Sequence, residues 1–548
     1  MAIVGIDLGT TSSAVAIAGE EPPRWIADTI GLSSSSGRWV KNERPPRLIP
    51  DAMGRTILPS LVVIRKDRQF FVGHEAVVEA RKYSGENLTI GSLKRMMDRQ
   101  KEFHWGHVRS SPQILTALIL AELKVQAEMY LGEPANKAVI AVPANFGFFQ
   151  RQFTREAARI AGWEVLRIYN EATAAVCALS SKIDQIVVAA DLGGGTFDVS
   201  VIECGDGVFE VKAAGGDDRL GGQDFTDILS NIILRKVSND FDITFAQNDP
   251  LTMRRIKDVA EESKCLLSGS ESVEVRVPYI KTHRNRFENI VCTVSRAEFE
   301  DECEPFLRRM EKIIDQVLQE AGLSPTQANI WLLGNASRMP AISRHLQAKY
   351  SVKPPCLSDL KASVALGAAK LAAPLSATVK NLLLLDVTPC SLGVPTRDGG
   401  FEPLILKNAT IPTKRTKTFT TVSDNQTSIS VPILEEAERG SHKIIGTLNM
   451  DGIPPRKAGI QKIEIVFDVD FDNALHVSAK AEGFNAGRDG VWSFFAKKKQ
   501  ENPGKWDGKT VQVKCNGFEL PEKTLNQYRL LVQDWTETRR KRWPKPGS

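Results

Sequence analysis

Two rhythms of apolar and polar positions run along this chain. Up to about residue 375, short apolar strands alternate with helical stretches such as 112–130 and 297–321, the pattern of an α/β layer structure. Farther on the period drops to two. Ile429, Val431 and Ile433 alternate with Ser428, Ser430 and Pro432, and Ile463, Ile465, Phe467 and Val469 with Lys462, Glu464, Val466 and Asp468. Such alternation predicts half-buried strands in antiparallel sheets. Between the two regimes stand Leu382, Leu383, Leu384 and Leu385, followed by Asp386. After Pro521 a helical period returns, with Leu525, Tyr528, Val532 and Trp535 on one face. The expected layout is an α/β domain over residues 1–375, a hydrophobic linker over 376–387, a β-rich domain over 388–515, and a short helix with a basic tail over 516–548. Two irregular stretches read as surface loops: residues 20–49, rich in Pro, Ser and Arg, and 483–509, rich in Gly, Lys and Trp.

Composition narrows the classes without changing that layout. The 548 residues are 42% hydrophobic and 25% charged, ordinary for a soluble multidomain protein. A net charge of +5 is too small to argue for nucleic acid. Basic residues gather at Lys497, Lys498 and Lys499 and at Arg539, Arg540, Lys541, Arg542 and Lys545; they read as solvated surface before they read as an acidic-partner or membrane contact. The eight cysteines are scattered singly, with no CxxC pair, which suits a reducing compartment. The first residues read as a strand and not a signal peptide, and no stretch approaches the ~18 apolar residues that span a bilayer. A cytoplasmic protein without membrane insertion is expected.

Chemistry enters with a near-repeat. Ile3-Val4-Gly5-Ile6-Asp7-Leu8-Gly9-Thr10-Thr11 is echoed by Val187-Val188-Ala189-Ala190-Asp191-Leu192-Gly193-Gly194-Gly195-Thr196. Each copy is an apolar strand ending in Asp that turns through glycine into hydroxyl residues. Glycines let backbone N–H groups point at phosphate oxygens with no Cβ in the way. Threonine hydroxyls add donors, and an aspartate at the turn holds Mg2+, usually through water. One such turn is commonly just a turn; two with matched strand context point to a triphosphate gripped from both sides.

Further motifs carry a resemblance: Ala138-Val139-Ile140-Ala141-Val142-Pro143-Ala144, Arg167-Ile168-Tyr169-Asn170-Glu171-Ala172-Thr173-Ala174-Ala175, Leu220-Gly221-Gly222-Gln223-Asp224-Phe225, Asp386-Val387-Thr388-Pro389-Cys390-Ser391-Leu392-Gly393 and Asn408-Ala409-Thr410-Ile411-Pro412-Thr413-Lys414. With the phosphate turns, they resemble the DnaK-type 70-kilodalton heat-shock chaperone family, within the actin and sugar-kinase superfamily. The resemblance runs from about residue 1 to 481 and implies an actin-like α/β ATPase domain followed by a β-sandwich peptide-binding domain and a short C-terminal helix. It implies ATP or ADP and Mg2+, with K+ as a further ion. Asp7 and Asp191 would hold the metal shell, and Gly9, Thr10, Thr11, Gly193, Gly194, Gly195, Thr196, Gly221 and Gly222 would surround the phosphates. Lys94, on its own a helix-surface lysine, matches the family residue that positions the attacking water. Glu171 matches its acidic partner, and Asp198 reads equally as polar support or as an ordinary strand aspartate. Glu261 and Lys264 would reach the ribose, while Ser268, Gly334 and Arg338 would frame the base. Four residues depart from the family pattern here: Asn335, Cys265, Ala172 and Lys361.

The same resemblance makes the four leucines and Asp386 a switchable linker, although hydropathy alone fits a core strand equally well. Pro143 and Arg151 match a relay from the nucleotide site, and Arg167, Asn170 and Asp386 match positions that support J-domain co-chaperone contact. Val394, Phe419, Val422, Ile429 and Val431, with Ala474, are expected around an extended apolar peptide; each fits sandwich core as well. Arg397, followed by an inserted Asp398, stands where the family has an apolar arch residue over the peptide. The single helix after Pro521 is too little for the family's helical lid. The implied partners are extended or unfolded client polypeptides, a J-domain protein and a nucleotide exchange factor. The expected function is an ATP-driven chaperone with a reduced lid; the competing expectation is a nucleotide-gated interaction protein that recruits one client without general refolding.

Overall fold

The computed structural model describes residues 2–18, 45–82, 87–97, 102–106, 108–179, 185–237, 249–281, 287–353, 362–376, 383–396, 398–437, 440–481, 492–493, 511–514 and 522–542. Leu382, Arg397, Lys361, the basic stretch at 497–499 and most of the two irregular stretches lie outside them.

The near-repeat in sequence becomes a near-repeat in topology. In one sheet the order is Glu164–Asn170, Lys137–Val142, Ile3–Asp7, Ser12–Ile17, Arg47–Leu48; in another it is Ser351–Lys353, Asn329–Leu333, Gln185–Leu192, Phe197–Gly205, Val208–Asp217 and Leu383–Leu385. The two phosphate-turn strands, Ile3–Asp7 and Gln185–Leu192, each hold the third place. Each has a parallel neighbour on one side and an antiparallel one, running straight out of the turn, on the other. Both are buried along almost their whole length, because helices cover both faces, as parallel pairing requires. The helix Pro112–Leu131 starts where the Ser111 side chain accepts the Ile114 N–H and proline fills the first turn, and it stops at Gly132 with φ of 70°, the expected capping signals. Between the two sheets run the helices Glu171–Leu179 and Ser363–Ala372. They meet so closely that a Cβ on Gly367 would lie 1.7 Å from the Ala174 carbonyl oxygen, so only small residues allow the crossing.

The region of period two forms two antiparallel sheets. One is Phe401–Ile405, Leu392–Pro395, Ser428–Glu436, His442–Asp451, Val511–Lys514; the other is Thr413–Thr420, Lys462–Val469, Leu475–Ala481, Trp492–Ser493. Ile463, Ile465, Phe467 and Val469 face one core, as their alternation predicts. The strand Ser428–Glu436 departs from strict alternation. Ile433, Leu434 and Glu435 are all buried, at the step where the register shifts and the partner strand His442–Asp451 carries one extra residue, Ile445.

The leucine run is neither core strand nor free linker. Leu383–Leu385 adds as a parallel edge strand to Val208–Asp217, with Leu383 opposite Val208 and Leu385 opposite Glu210. Leu384 packs against the adjacent core while Leu383 remains 52% exposed. The C-terminal helix, Glu522–Arg542, packs on the helix Pro112–Leu131 of the first region. Val532 is buried there, and Tyr528, Leu531 and Trp535 pack around it; the Leu525 side chain lies outside the described ones.

Candidate nucleotide site and interdomain seam

The two phosphate turns face each other at less than the width of a side chain. A Cβ on Gly194 would lie 2.5 Å from the Thr11 hydroxyl, and one on Gly195 would lie 2.4 Å from the Thr10 side chain. Gly221 presses on the Gly195 backbone, where a Cβ would come within 2.6 Å, and Gly334 sits so near Asp191 that its Cβ would be 2.3 Å from the carboxylate. Thr10 and Thr196 are buried in this cradle and Thr11 is exposed at its rim. Gly9, Gly193 and Gly222 complete it; Gly193 donates to the Thr196 carbonyl at 3.0 Å and accepts the Gly222 N–H at 2.9 Å.

Behind the cradle lies a buried charge cluster. Asp7, Asp191, Asp198 and Glu171 surround Lys94, which is itself buried and pairs with Glu171. Burial, then the Glu171 charge, pushes the carboxyls of Asp7 and Asp191 up to about 7. Burial works against the charge on Lys94, yet Glu171 and Asp7 together hold it above the ordinary lysine range. With one cation among four acidic groups, the cluster can be fully ionised only at a high electrostatic cost, which is why Asp7, Asp191 and Asp198 are all shifted upward. A divalent cation would relieve that cost by supplying positive charge beside the ionised carboxylates. Among the described residues, no three His, Cys, Asp or Glu side chains are placed to chelate a metal directly. Asp7 and Asp191 are the residues that could hold Mg2+ there, through water and phosphate oxygens.

The adenosine-side residues are only partly brought together. Buried Lys264 donates to the Gly222 carbonyl (2.8 Å), to the Thr226 hydroxyl (2.9 Å) and to Glu261 (2.6 Å). It thereby ties its helix, Pro250–Leu267, to the first turn of the helix Gly222–Val237. Ser268 is half-buried at the end of the former helix, with its hydroxyl 3.4 Å from the Lys264 carbonyl. Arg338, Asn335 and Cys265 are exposed.

A hydrogen-bonded chain leaves this cluster for the linker. The Asp198 carboxylate accepts the Ala144 N–H at 2.7 Å, just past Pro143. Fully buried Arg151 donates to the carbonyls of Phe146 (2.8 Å) and Ala144 (3.5 Å) and to the Asn170 side chain (2.7 Å). Asn170 in turn donates to Asp386 at 2.9 Å, immediately after the linker strand. Asn170 and Asp386 are buried in this seam. Arg167, at its edge, reaches the Phe471 carbonyl (3.4 Å) and Asp472 (3.4 Å) in a turn of the β region.

The β region is seated on the first region through this same seam. Phe148 and Phe149, at the start of the helix Phe148–Ile160, are part of the β-sheet core cluster. The carboxylate of Glu435 accepts the Phe148 N–H at 3.0 Å, a favourable place for negative charge at a helix N-terminus. Lys407 and Asn408 reach Glu320 at 2.8 Å. Of the peptide-side residues, Val394 and Ala474 lie in the closed core. Phe419, Ile429 and Val431 are half-buried beside it and Val422 is 63% exposed, which leaves these four accessible.

Sequence reading missed Glu435, because its burial comes from seating against the start of the helix Phe148–Ile160, and Arg95. The Arg95 side chain donates to the Gly195 carbonyl at 2.6 Å and pairs with Asp224. Its place beside Lys94 and the Asp224 of the Leu-Gly-Gly-Gln-Asp-Phe motif were the available signals.

The chain matches the family model described as Hsp70 protein over residues 30–489. That span covers well over half of the chain: it begins after the first phosphate turn, includes the second, and ends past Leu475–Ala481, before the strands Trp492–Ser493 and Val511–Lys514. With paired phosphate turns, a linker strand and a seated β region on one polypeptide, this chain belongs to the Hsp70 family of ATP-binding chaperones.

Proposed function

We propose that this chain hydrolyses ATP in the cradle between its two phosphate turns and uses hydrolysis to control its hold on extended apolar peptide segments. The observation that carries the proposal is the continuous chain Asp198–Ala144–Arg151–Asn170–Asp386. It joins the buried charge cluster to the linker strand, so a change of charge at one end has a physical route to the other.

Phosphoryl transfer to water asks little covalent chemistry of a protein; positioning and charge stabilisation do the work. N–H groups of the glycine turns and the hydroxyls of Thr10, Thr11 and Thr196 would hold the phosphates. Asp7 and Asp191 would hold Mg2+ through water, and the ion supplies charge neutralisation on the terminal phosphate when bound. Lys94, kept protonated by Glu171 and Asp7, would orient the attacking water and stabilise charge developing on the transferred group, while Glu171 fixes its position. Glu261 and Lys264 would meet the ribose from the helix Pro250–Leu267.

Peptide binding would use Phe419, Val422, Ile429 and Val431, with Arg397 as the arch residue and backbone groups of the sheet edge pairing with the ligand. The C-terminal helix rests on the ATPase region, so among the described residues no helix covers these side chains. J-domain and exchange-factor partners are proposed from the family; Arg167 at the rim of the seam is the more accessible candidate contact, since Asn170 and Asp386 are buried.

The test is single-turnover ATP hydrolysis with and without an extended apolar heptapeptide. Stimulation by peptide supports the coupled cycle. Hydrolysis indifferent to peptide removes the coupling, and absence of hydrolysis removes the ATPase itself.

A further inference from the structure

A cavity of about 480 Å3 opens in the cleft between the two halves of the ATPase region. Gly91, Ser92, Arg95 and Met96 line it from one half, and Arg219, Gln223 and Asp224 from the other. None of the phosphate, metal or adenosine residues assigned above lines it. Its wall toward the phosphate turns is one residue thick. Gly195 meets the Thr10 side chain on one side and gives its carbonyl to Arg95, at 2.6 Å, on the other.

The lining favours an anion. Arg95 and Asp224 neutralise each other through a two-point contact, which leaves Arg219 as the uncompensated charge. The Arg219 backbone N–H is turned onto Asp217 at 2.8 Å, but its exposed guanidinium forms no ion pair among the described residues. The Ser92 hydroxyl donates to the Gln223 carbonyl oxygen at 2.7 Å, and the Gln223 amide nitrogen is thereby left as a donor. A net positive, donor-rich cavity against the phosphate turns is suited to a small dianion.

Taking the ATPase reading of the previous subsection as its basis, we propose that this cavity is a second phosphate site, which receives inorganic phosphate after hydrolysis and passes it to solvent at Arg219. The Arg95–Asp224 and Ser92–Gln223 links both cross the cleft, so the same contacts that wall the cavity hold the two halves together. Departure of phosphate and opening of the cleft thus share one set of bonds.

The test separates hydrolysis from release. ATP hydrolysis is followed by acid quench, and phosphate release by a fluorescent phosphate sensor, in wild type, Arg219→Ala, Arg219→Glu and Arg219→Lys. Inorganic phosphate and ADP are titrated calorimetrically into the same proteins. Arg219→Ala is expected to leave hydrolysis and ADP affinity unchanged, to slow release and to weaken inorganic phosphate binding by roughly three- to fivefold, the size of one exposed charge-assisted contact. Arg219→Glu should exceed that and Arg219→Lys should recover most of it. Release in step with hydrolysis in all four proteins, with equal phosphate binding, overturns the proposal. If wild type does not hydrolyse ATP, the ATPase reading fails, while the phosphate titration still decides for or against the site.

Discussion

Lys94 shows how a residue takes its role from charges far along the chain. Its neighbours in sequence mark an ordinary short helical turn, yet its ammonium is buried against Glu171, with Asp7 and Asp191 close enough to shift with it. Removing it would leave buried carboxylates with no counter-charge. Lys94→Ala is expected to lower single-turnover hydrolysis by about 10²- to 10³-fold, the usual cost of losing a preorganised charge at a reacting centre, while equilibrium titration still detects ATP binding. Glu435 presents the opposite electrostatic case. Burial raises its carboxyl above the ordinary glutamate range, against Lys443 and the N–H groups of Phe148 and Phe149, which lower it; the half-buried Cys390 lies near it. A raised value in the docked form means that its contribution to docking is complete below the ordinary glutamate value and is lost as pH rises through the docked-state value. Docking should therefore weaken as pH rises above the ordinary glutamate value, and Glu435→Gln should flatten that slope. Hydrogen exchange of the strand Leu383–Leu385, measured against pH in both proteins, reads the difference; equal slopes would refute it.

At the scale of elements, the phosphate turns were legible because everything they need is contiguous: an apolar strand, an aspartate, glycines and hydroxyls within ten residues. The linker was half legible. Four leucines between two periodicities announce something that must be covered, but a core strand has the same hydropathy. Pairing with Val208–Asp217 decides the matter, because only an available sheet edge turns that run into a docked strand. Leu384 packs inward at this edge. Leu384→Asp should therefore release the strand, leave basal hydrolysis within about twofold of wild type, and abolish its response to peptide, as expected when the two-state element and not the catalytic site is damaged. A retained peptide response would show that coupling runs elsewhere. The burial of Glu435 was not legible: the extra residue of the nearby register shift, Ile445, lies on the partner strand, and the Phe148 N–H that Glu435 meets is 287 residues away in the chain.

Across the whole molecule, the C-terminal helix ties the end of the chain to its beginning. Arg539 forks onto Glu122 at 2.8–3.0 Å and reaches Glu75 at 2.7 Å; Trp535 donates to the Phe70 carbonyl at 3.2 Å. Glu122 is nearly inaccessible, and removal of its partner would leave a buried charge unpaired. Arg539→Ala is expected to weaken helix docking by about 2 kcal/mol, below the range for a fully enclosed pair because Arg539 is partly exposed. Hydrogen exchange within residues 522–542 should rise accordingly, and Glu122→Gln added to Arg539→Ala should recover part of the loss. Unchanged exchange in the single variant would remove the pair from the account of docking.

The sequence alone determined the duplicated phosphate turns, the change from α/β to antiparallel strands and the presence of one short terminal helix, since each is written in consecutive residues or a local period. Only the tertiary structure decided where the amphipathic helix lies, which edge the leucines join and which polar side chains connect the charge cluster to the linker. The physical reason is the same for all three. An apolar face or a hydrogen-bonding group specifies that it must be satisfied, but not by which of the surfaces the folded chain offers; Asn170 finds Asp386, and Trp535 finds Phe70, only after the sheets have brought distant segments together.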